Sequence, residues 1–321
     1  MRSKGHGGGS AAIAEPPGIM PERHTPDREL PLETPVREGV HPGNTLNELT
    51  GAEWLYFTKS LITTTYPQEL GHKLRRAHGA NKPPRLMAEL IAFFTKRDGV
   101  VLDPFAGVGG TLLGASLCDP PRRCIGIEIS EQWAAVYREV CAGEGLEPQE
   151  MIVGDCLQVM RGMEAESVDF IAADPPYNIH VPKTMCDGKY GWRNRETDYD
   201  MRSAEAADLA NLGSYEDYLD ALEAAFGECH RLLRPGRYMT VILRNAYQGG
   251  KYYLTNALVA ERAERQGLIL KGEKVWYQAG TPLRPYGYPN GFVPNIVHQF
   301  ILILQRPAPT RRRRRQAGAA P

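Results

Sequence analysis

The sequence predicts an α/β chain whose core is a doubly wound, seven-stranded mixed sheet with helices on both faces, preceded by an N-terminal helical extension. Three observations carry this reading. From Val100 onward, short apolar runs alternate with stretches of helical period, as in βα units laid into a parallel sheet. The first run, Val100-Val101-Leu102, passes through a glycine loop, Asp103 to Gly110, into the helical Thr111-Leu112-Leu113-Gly114-Ala115. That is the form of the first βα turn in such sheets. The chain closes on two apolar runs, Glu273 to Gln278 and Gln299 to Gln305, which fit a final antiparallel hairpin around the long loop Gly280 to Val297.

Residues 1–44 are rich in Gly, Pro, Glu and Arg without apolar period and read as a disordered or loosely tethered arm. Residues 45–306 form the expected folded domain, and 307–321 a basic disordered tail. Between 45 and 70, Trp54, Leu55, Tyr56, Phe57 and Leu61 suit an amphipathic helix or short hairpin packed on the sheet. No apolar run is long enough to span a membrane and the N-terminus lacks a signal-peptide core, so a cytoplasmic protein without a membrane partner is expected. The six cysteines show no C-x-x-C spacing, which favours reduced thiols over a zinc site.

Charge sets a limit on nucleic-acid binding. The 38 basic and 38 acidic residues cancel, and the ends take five basic and six acidic residues (1–44) and five arginines with no acid (307–321), leaving 28 basic against 32 acidic in the core. Contact with a polyanion must therefore come from local patches. Candidates are Lys73, Arg75, Arg76, Lys82 and Arg85, and the tail Arg311 to Arg315, for which a solvated terminus is an equally good reading.

The strands present acids at their ends. Val168 to Ala172 is an apolar run closed by Asp174-Pro175-Pro176-Tyr177, a strand stopped by two prolines at the edge where open sheets bind ligands. The Asp174 carboxylate and the Pro175 carbonyl make a rigid pair of acceptors, with the Tyr177 ring beside them, a combination suited to a planar amine. The same Asp-Pro-Pro recurs at Asp119-Pro120-Pro121, but after a helical pattern and before two arginines, and there it reads as a loop. The glycine loop is Asp103-Pro104-Phe105-Ala106-Gly107-Val108-Gly109-Gly110-Thr111. It lacks G-x-G-x-x-G and carries a carboxylate where a phosphate-binding turn keeps donors, so it suits a cationic ligand better than a pyrophosphate. Glu128, near the end of Cys124 to Ile129, stands where an acid commonly holds ribose hydroxyls. Asp155, after Met151 to Val153, could accept from an adenine amino group. Each alone is more often a helix cap or a solvated strand end; together they outline a nucleoside pocket.

Downstream, Asn178 to Gly213 interleaves Lys183, Lys189, Tyr190, Trp192, Arg193, Arg195 and Tyr199, the composition of an active-site loop that touches a nucleic-acid strand. Tyr215 to Leu233 has helical spacing and stops at Arg234-Pro235-Gly236; Tyr238 to Leu243 reads as the fifth strand and Tyr252 to Gln266 as another helix.

The glycine-loop motif taken with Asp174-Pro175-Pro176-Tyr177 resembles the S-adenosylmethionine-dependent DNA amino-methyltransferases, which methylate adenine N6 or cytosine N4, over about His78 to Gln305. The resemblance implies a class I, Rossmann-like methyltransferase domain with S-adenosyl-L-methionine as cofactor. It assigns Asp103, Pro104, Phe105, Gly107, Gly109, Thr111, Glu128 and Asp155 to the cofactor, and Asp174, Pro175, Pro176 and Tyr177 to catalysis. His78 to Pro84, and within it Lys82 and Pro83, is similar to the segment that packs beside the cofactor's methionine end. It implies DNA as partner, with the target base flipped out of the duplex onto Tyr177. Asp at the head of the motif is associated more with adenine N6, Ser with cytosine N4. An RNA base or a protein glutamine as target, pairing with a restriction enzyme, and a homodimer stay open. The chain has no Pro-Cys pair to supply the thiolate that a cytosine-C5 enzyme would need.

Overall fold

The chain enters the fold through a capped turn of helix. Thr50 accepts from the Glu53 amide while the Glu53 carboxylate accepts from the Thr50 amide, starting α1 (Gly51–Phe57). The structure, a computed structural model, describes residues 37–79, 81–177, 205 and 208–309. Residues 37–44 are tied to the segment around α1: Arg37 pairs with Glu53 at 2.8 Å, and the Asn44 side chain accepts from the Leu46 and Asn47 amides, each at 3.1 Å.

After α1 come β1 (Leu61–Ile62) and α2 (His72–Arg75). α3 (Pro84–Phe94) has proline in its first turn, where no donor is lost, and buries Leu86, Met87, Leu90, Ile91, Phe93 and Phe94 along one stripe. β2 (Val100–Asp103), α4 (Gly110–Leu117), β3 (Arg123–Glu128), α5 (Glu131–Glu144), β4 (Glu150–Val153), α6 (Cys156–Gly162) and β5 (Val168–Ala173) then alternate as expected. α7 (Tyr215–Leu232) is capped by Ser214, whose side chain accepts from the Asp217 amide. β6 (Leu233–Leu243), the hairpin of β7 (Ala246–Gln248) and β8 (Lys251–Tyr253), α8 (Thr255–Arg265), β9 (Ile269–Tyr277) and β10 (His298–Gln305) complete the described chain.

The main sheet runs β1-β9-β10-β6-β5-β2-β3-β4, with β10 antiparallel to both neighbours and the other pairs parallel. Alternation sorts the side chains of β5 to two cores. Phe170 and Ala172 face the layer of α3, α4 and α5; Ile171 and Ala173 face α6, α7 and α8. Each fully buried large side chain contributes roughly 1.5–3 kcal/mol, and Phe94, stacked on Phe170 at 5.1 Å, belongs to the first layer.

Four expectations change. Among the described residues the sheet has eight strands rather than seven, because Leu61–Ile62 pairs with Val275–Trp276 at the edge. The 45–70 segment is accordingly a short helix followed by that strand; Trp54 and Phe57 pack on Phe93 while Leu55 and Tyr56 stay exposed. Arg234-Pro235-Gly236 lies inside β6 rather than before it, since Gly236 donates to the Arg306 carbonyl at 2.8 Å and a register shift between Val168 and Phe170 absorbs the proline. Tyr252 and Tyr253 belong to a strand, not a helix, because they pair with Tyr247 and Ala246. The decoy Asp119-Pro120-Pro121 is a loop, as expected. The five described cysteines are unpaired. Among the described residues no helix is long and apolar enough to cross a membrane.

Candidate active site

Four parallel strands end on one edge of the sheet, and each delivers an acid there. Asp103 ends β2, Glu128 ends β3, Asp155 follows β4 and Asp174 follows β5. All four line one cavity of about 530 Å³, together with the glycine loop and Tyr177. That volume falls within the roughly 300–1,000 Å³ of small-molecule sites.

The loop after β2 is built around Asp103. Its carboxylate accepts from the Phe105 amide at 2.9 Å and from the Thr111 hydroxyl, spanning the turn from both ends. Burial pushes this carboxyl up to about 7, against the pull of the Thr111 and Phe105 hydrogen bonds and with help from the neighbouring charges of Asp174 and Glu128. Gly109 starts α4 in the left-handed region at φ 76°, and a Cβ there would sit 2.2 Å from the Tyr137 ring. Gly114 lets α4 approach α3 so closely that a Cβ would meet Met87 at 2.7 Å. Gly110 likewise brings the glycine loop against Lys82, whose carbonyl a Cβ would meet at 3.0 Å, whereas Pro83 is not among the residues that line the cavity.

Glu128 accepts from Gly107 at 2.7 Å through one oxygen and from Ser130 at 2.9 Å through the other. The Ile129 amide also favours its charged form, against the rise that burial imposes, and Glu128 lines the cavity. Asp155 caps α6 by accepting from the Gln158 amide at 2.8 Å, so here the helix-cap reading and the cavity position hold together.

Asp174 is engaged. Lys82 Nζ lies 2.5 Å from its Oδ2, and the Tyr177 hydroxyl 3.4 Å from its Oδ1. The Lys82 ammonium also stands 5.7 Å from the centre of the Tyr177 ring. Burial pushes the Asp174 carboxyl up, and Lys82 is the first of the groups that pull it back down. The segment implied to flank the cofactor thus reaches the motif implied to be catalytic. Tyr177 packs its ring against the core beside α7, with its phenol pushed up by burial.

Of the proposed basic patch, only Lys73 and Arg76 are exposed without a place in this frame. Arg75 is buried and donates to the Leu70, Glu69 and Lys82 carbonyls at 2.8, 3.2 and 3.1 Å, because the chain folds back over it; it positions Lys82 rather than a phosphate. Arg85 pairs with Glu69 at 2.9 Å. The loop cations and aromatics from Lys183 to Tyr199, and the tail Arg311 to Arg315, lie outside the described residues.

Among the further residues that line the cavity, His78, which opens the segment implied to flank the cofactor, stands with Trp133 and Asp208, which were not picked out from sequence. His78 sits edge-on to Trp133 at 4.9 Å, its Nδ1 is buried without a hydrogen-bond partner, and burial with the nearby Lys82 brings it down to about 4, so it is neutral at physiological pH. Asp208 caps a short turn by accepting from the Ala210 amide at 2.8 Å. His78 was within reach, since it opens the segment that carries Lys82. Trp133 and Asp208 carry no pattern that marks them.

Sequence comparison places these features in context. A family model described as DNA methylase matches residues 36–139 and 168–317. Escherichia coli (strain K12) YubD, which carries the name of a methylase, is 44% identical over 69 residues, covering 21% of this chain and 30% of that protein. The tRNA (guanine(10)-N2)-dimethyltransferase of Pyrococcus abyssi is 29% identical over 103 residues, covering 32% of this chain and 30% of the other. The matches thus span about a third of each curated relative's length. Among solved structures, TrmN from Thermus thermophilus is similar at 20% identity and TM-score 0.40, over 74% of this chain and 48% of that one. TTHA0409, also from Thermus thermophilus and described as a DNA modification methylase complexed with S-adenosyl-L-methionine, is similar at 18% identity and TM-score 0.32, over 48% and 51%. The family match contains the Lys82 segment, the Asp103 loop and the Asp174 motif, the three parts that meet in the cavity, and the chain belongs to the DNA methylase family.

Proposed function

We propose that the chain is an S-adenosylmethionine-dependent DNA methyltransferase that acts on an exocyclic base amine, with adenine N6 favoured, and that residues 45–306 form its catalytic domain. The observation that carries this is the single cavity shared by the Asp103 loop and Asp174. The residues present fit the cofactor. Asp103 and Glu128 offer carboxylate oxygens to a cation and to hydroxyls, the unpartnered His78 Nδ1 offers a neutral polar contact, and the volume is that of a small-ligand pocket.

When bound, S-adenosylmethionine supplies an electrophilic methyl group on a sulfonium. The chain's part is orientation and electrostatics. An exocyclic amine conjugated to its ring attacks poorly, so Asp174 and the Pro175 carbonyl take its two N–H groups and favour a pyramidal nitrogen with its lone pair on the methyl axis. Lys82 opposes the rise that burial imposes on the Asp174 carboxyl and so favours its ionised form, the stronger hydrogen-bond acceptor. A methylated amine nitrogen would be acidic, and Asp174 is the group placed to take its proton. Asp at the head of the motif supports adenine over cytosine.

Labelled methyl transfer into DNA, RNA and protein, followed by nucleoside mass spectrometry, tests the assignment. N6-methyladenine in DNA is the expected product. N4-methylcytosine alone would overturn the base preference, and label only in RNA or protein would overturn DNA as substrate.

A further inference from the structure

The sheet's active edge continues past Asp174 onto a surface that the site above does not use. β6 runs parallel to β5, so the end of β6 at Leu243, the β7–β8 hairpin after it, the end of β9 at Tyr277 and the start of β10 at His298 all stand on the edge that carries Asp174. Strands lie about 4.8 Å apart, and β6, β10 and β9 are the first, second and third strands beyond β5, so this surface begins beside the Asp174 carboxylate. Its composition departs from that of the domain. Residues 244–260 contain no acid, and no Asp or Glu follows Glu273, although the core as a whole is slightly acidic. Cations are present: Arg244 beside the motif, close enough to oppose the rise in the Tyr177 phenol, then Lys251 and Arg284.

The same surface exposes large apolar rings. Phe292 is 87% exposed, Tyr288 62% and Tyr252 38%. The display is held in place from beneath. Asn295 bridges the loop 278–297 through two 2.8 Å hydrogen bonds with the Arg284 backbone, and Tyr253 of the hairpin packs on Tyr215 of α7 at 4.6 Å. Rings that would cost solubility on an ordinary surface are therefore presented on ordered backbone.

We infer that the β7–β8 hairpin and the loop 278–297 form the docking face for the DNA flanking the target base, with Arg244, Lys251 and Arg284 on phosphates and Tyr252, Tyr288 and Phe292 against sugars and unstacked bases. The inference rests on the DNA-methyltransferase reading, and it places recognition on the catalytic domain itself. Cations interleaved with rings in two segments that carry no acid, beside the active edge, match the chemistry of a nucleic-acid strand.

The test is the affinity of the full chain for a duplex oligonucleotide, read by fluorescence anisotropy across a salt series, alongside calorimetry with S-adenosylmethionine and a thermal melt. Lys251→Ala with Arg284→Ala is expected to weaken DNA binding and flatten the slope of log affinity against log salt by roughly two. Phe292→Ala is expected to cost roughly tenfold in affinity with the salt slope unchanged. Cofactor affinity and melting temperature stay at wild-type values. Wild-type DNA affinity and salt slope in these variants, in a protein that methylates DNA, would overturn the docking face and leave the function standing. A wild-type protein that binds and methylates only RNA would overturn the function reading and this one with it.

Discussion

Lys82 Nζ and Asp174 Oδ2 stand 2.5 Å apart, joining the segment ahead of α3 to the residue that follows β5. Burial raises this carboxyl, and the ammonium is the first of the groups that draw it back down.

Lys82→Ala is expected to let the Asp174 carboxyl rise, because it removes the first group that holds it down, and so to move the acid limb of the kcat profile to higher pH. At pH 6 the loss should be roughly 10- to 100-fold, shrinking as pH rises. Lys82→Arg retains the charge and should restore part of the profile. A uniform loss at every pH would mean that Lys82 acts by packing alone.

Asp174→Ala should abolish methyl transfer, by at least the roughly 10²–10³-fold that one oriented polar group is worth, with cofactor affinity nearly intact. More than a few per cent of wild-type turnover would sink the assignment. The converse holds for Asp103→Asn and Glu128→Ala, which should weaken cofactor binding. The Asp103 carboxyl is pushed up to about 7, so it is neutral below that pH and anionic above it. Affinity for the cationic cofactor should therefore tighten as pH rises through 7, more than affinity for the uncharged thioether product, and Asp103→Asn should remove the difference. Calorimetry from pH 5.5 to 8.5 with both ligands measures it.

Gly109→Ala should destabilise the fold by about 3 kcal/mol, combining a left-handed backbone penalty with a Cβ driven into the Tyr137 ring. Gly145→Ala, also left-handed at φ 66° but with open space around its Cβ, isolates the backbone part and should cost about 1–2 kcal/mol. Equal melting temperatures for the two variants would refute the steric contribution.

The acids at the strand ends were legible because each follows an apolar run closed by a turn signal, and the parallel order followed from the spacing of those runs. Arg75 was not. It is one cation among several in sequence, and its burial arises because Leu70 and Gly71 take left-handed backbone at φ 51° and 63°, turning the Glu69 and Leu70 carbonyls onto it. Nor was β1, two residues long, whose existence depends on Val275 and Trp276, more than two hundred positions away. The engagement of Asp174 by Lys82 belongs to the same class: both residues were picked out, but their meeting is a property of the packed α3–α4 pair, not of either motif.

β1 has a consequence for the molecule among its own copies. β9 would otherwise end the sheet with a row of unpaired backbone donors and acceptors, open to the same strand of another molecule. Ser60 takes the Val275 amide at 2.7 Å, and the buried Lys274 ammonium reaches across to the Phe57 and Lys59 carbonyls, fastening the short strand from below. A clasp of so few residues makes the sheet finite on that side, and its loss would convert the enzyme's flank into a template for growth by addition.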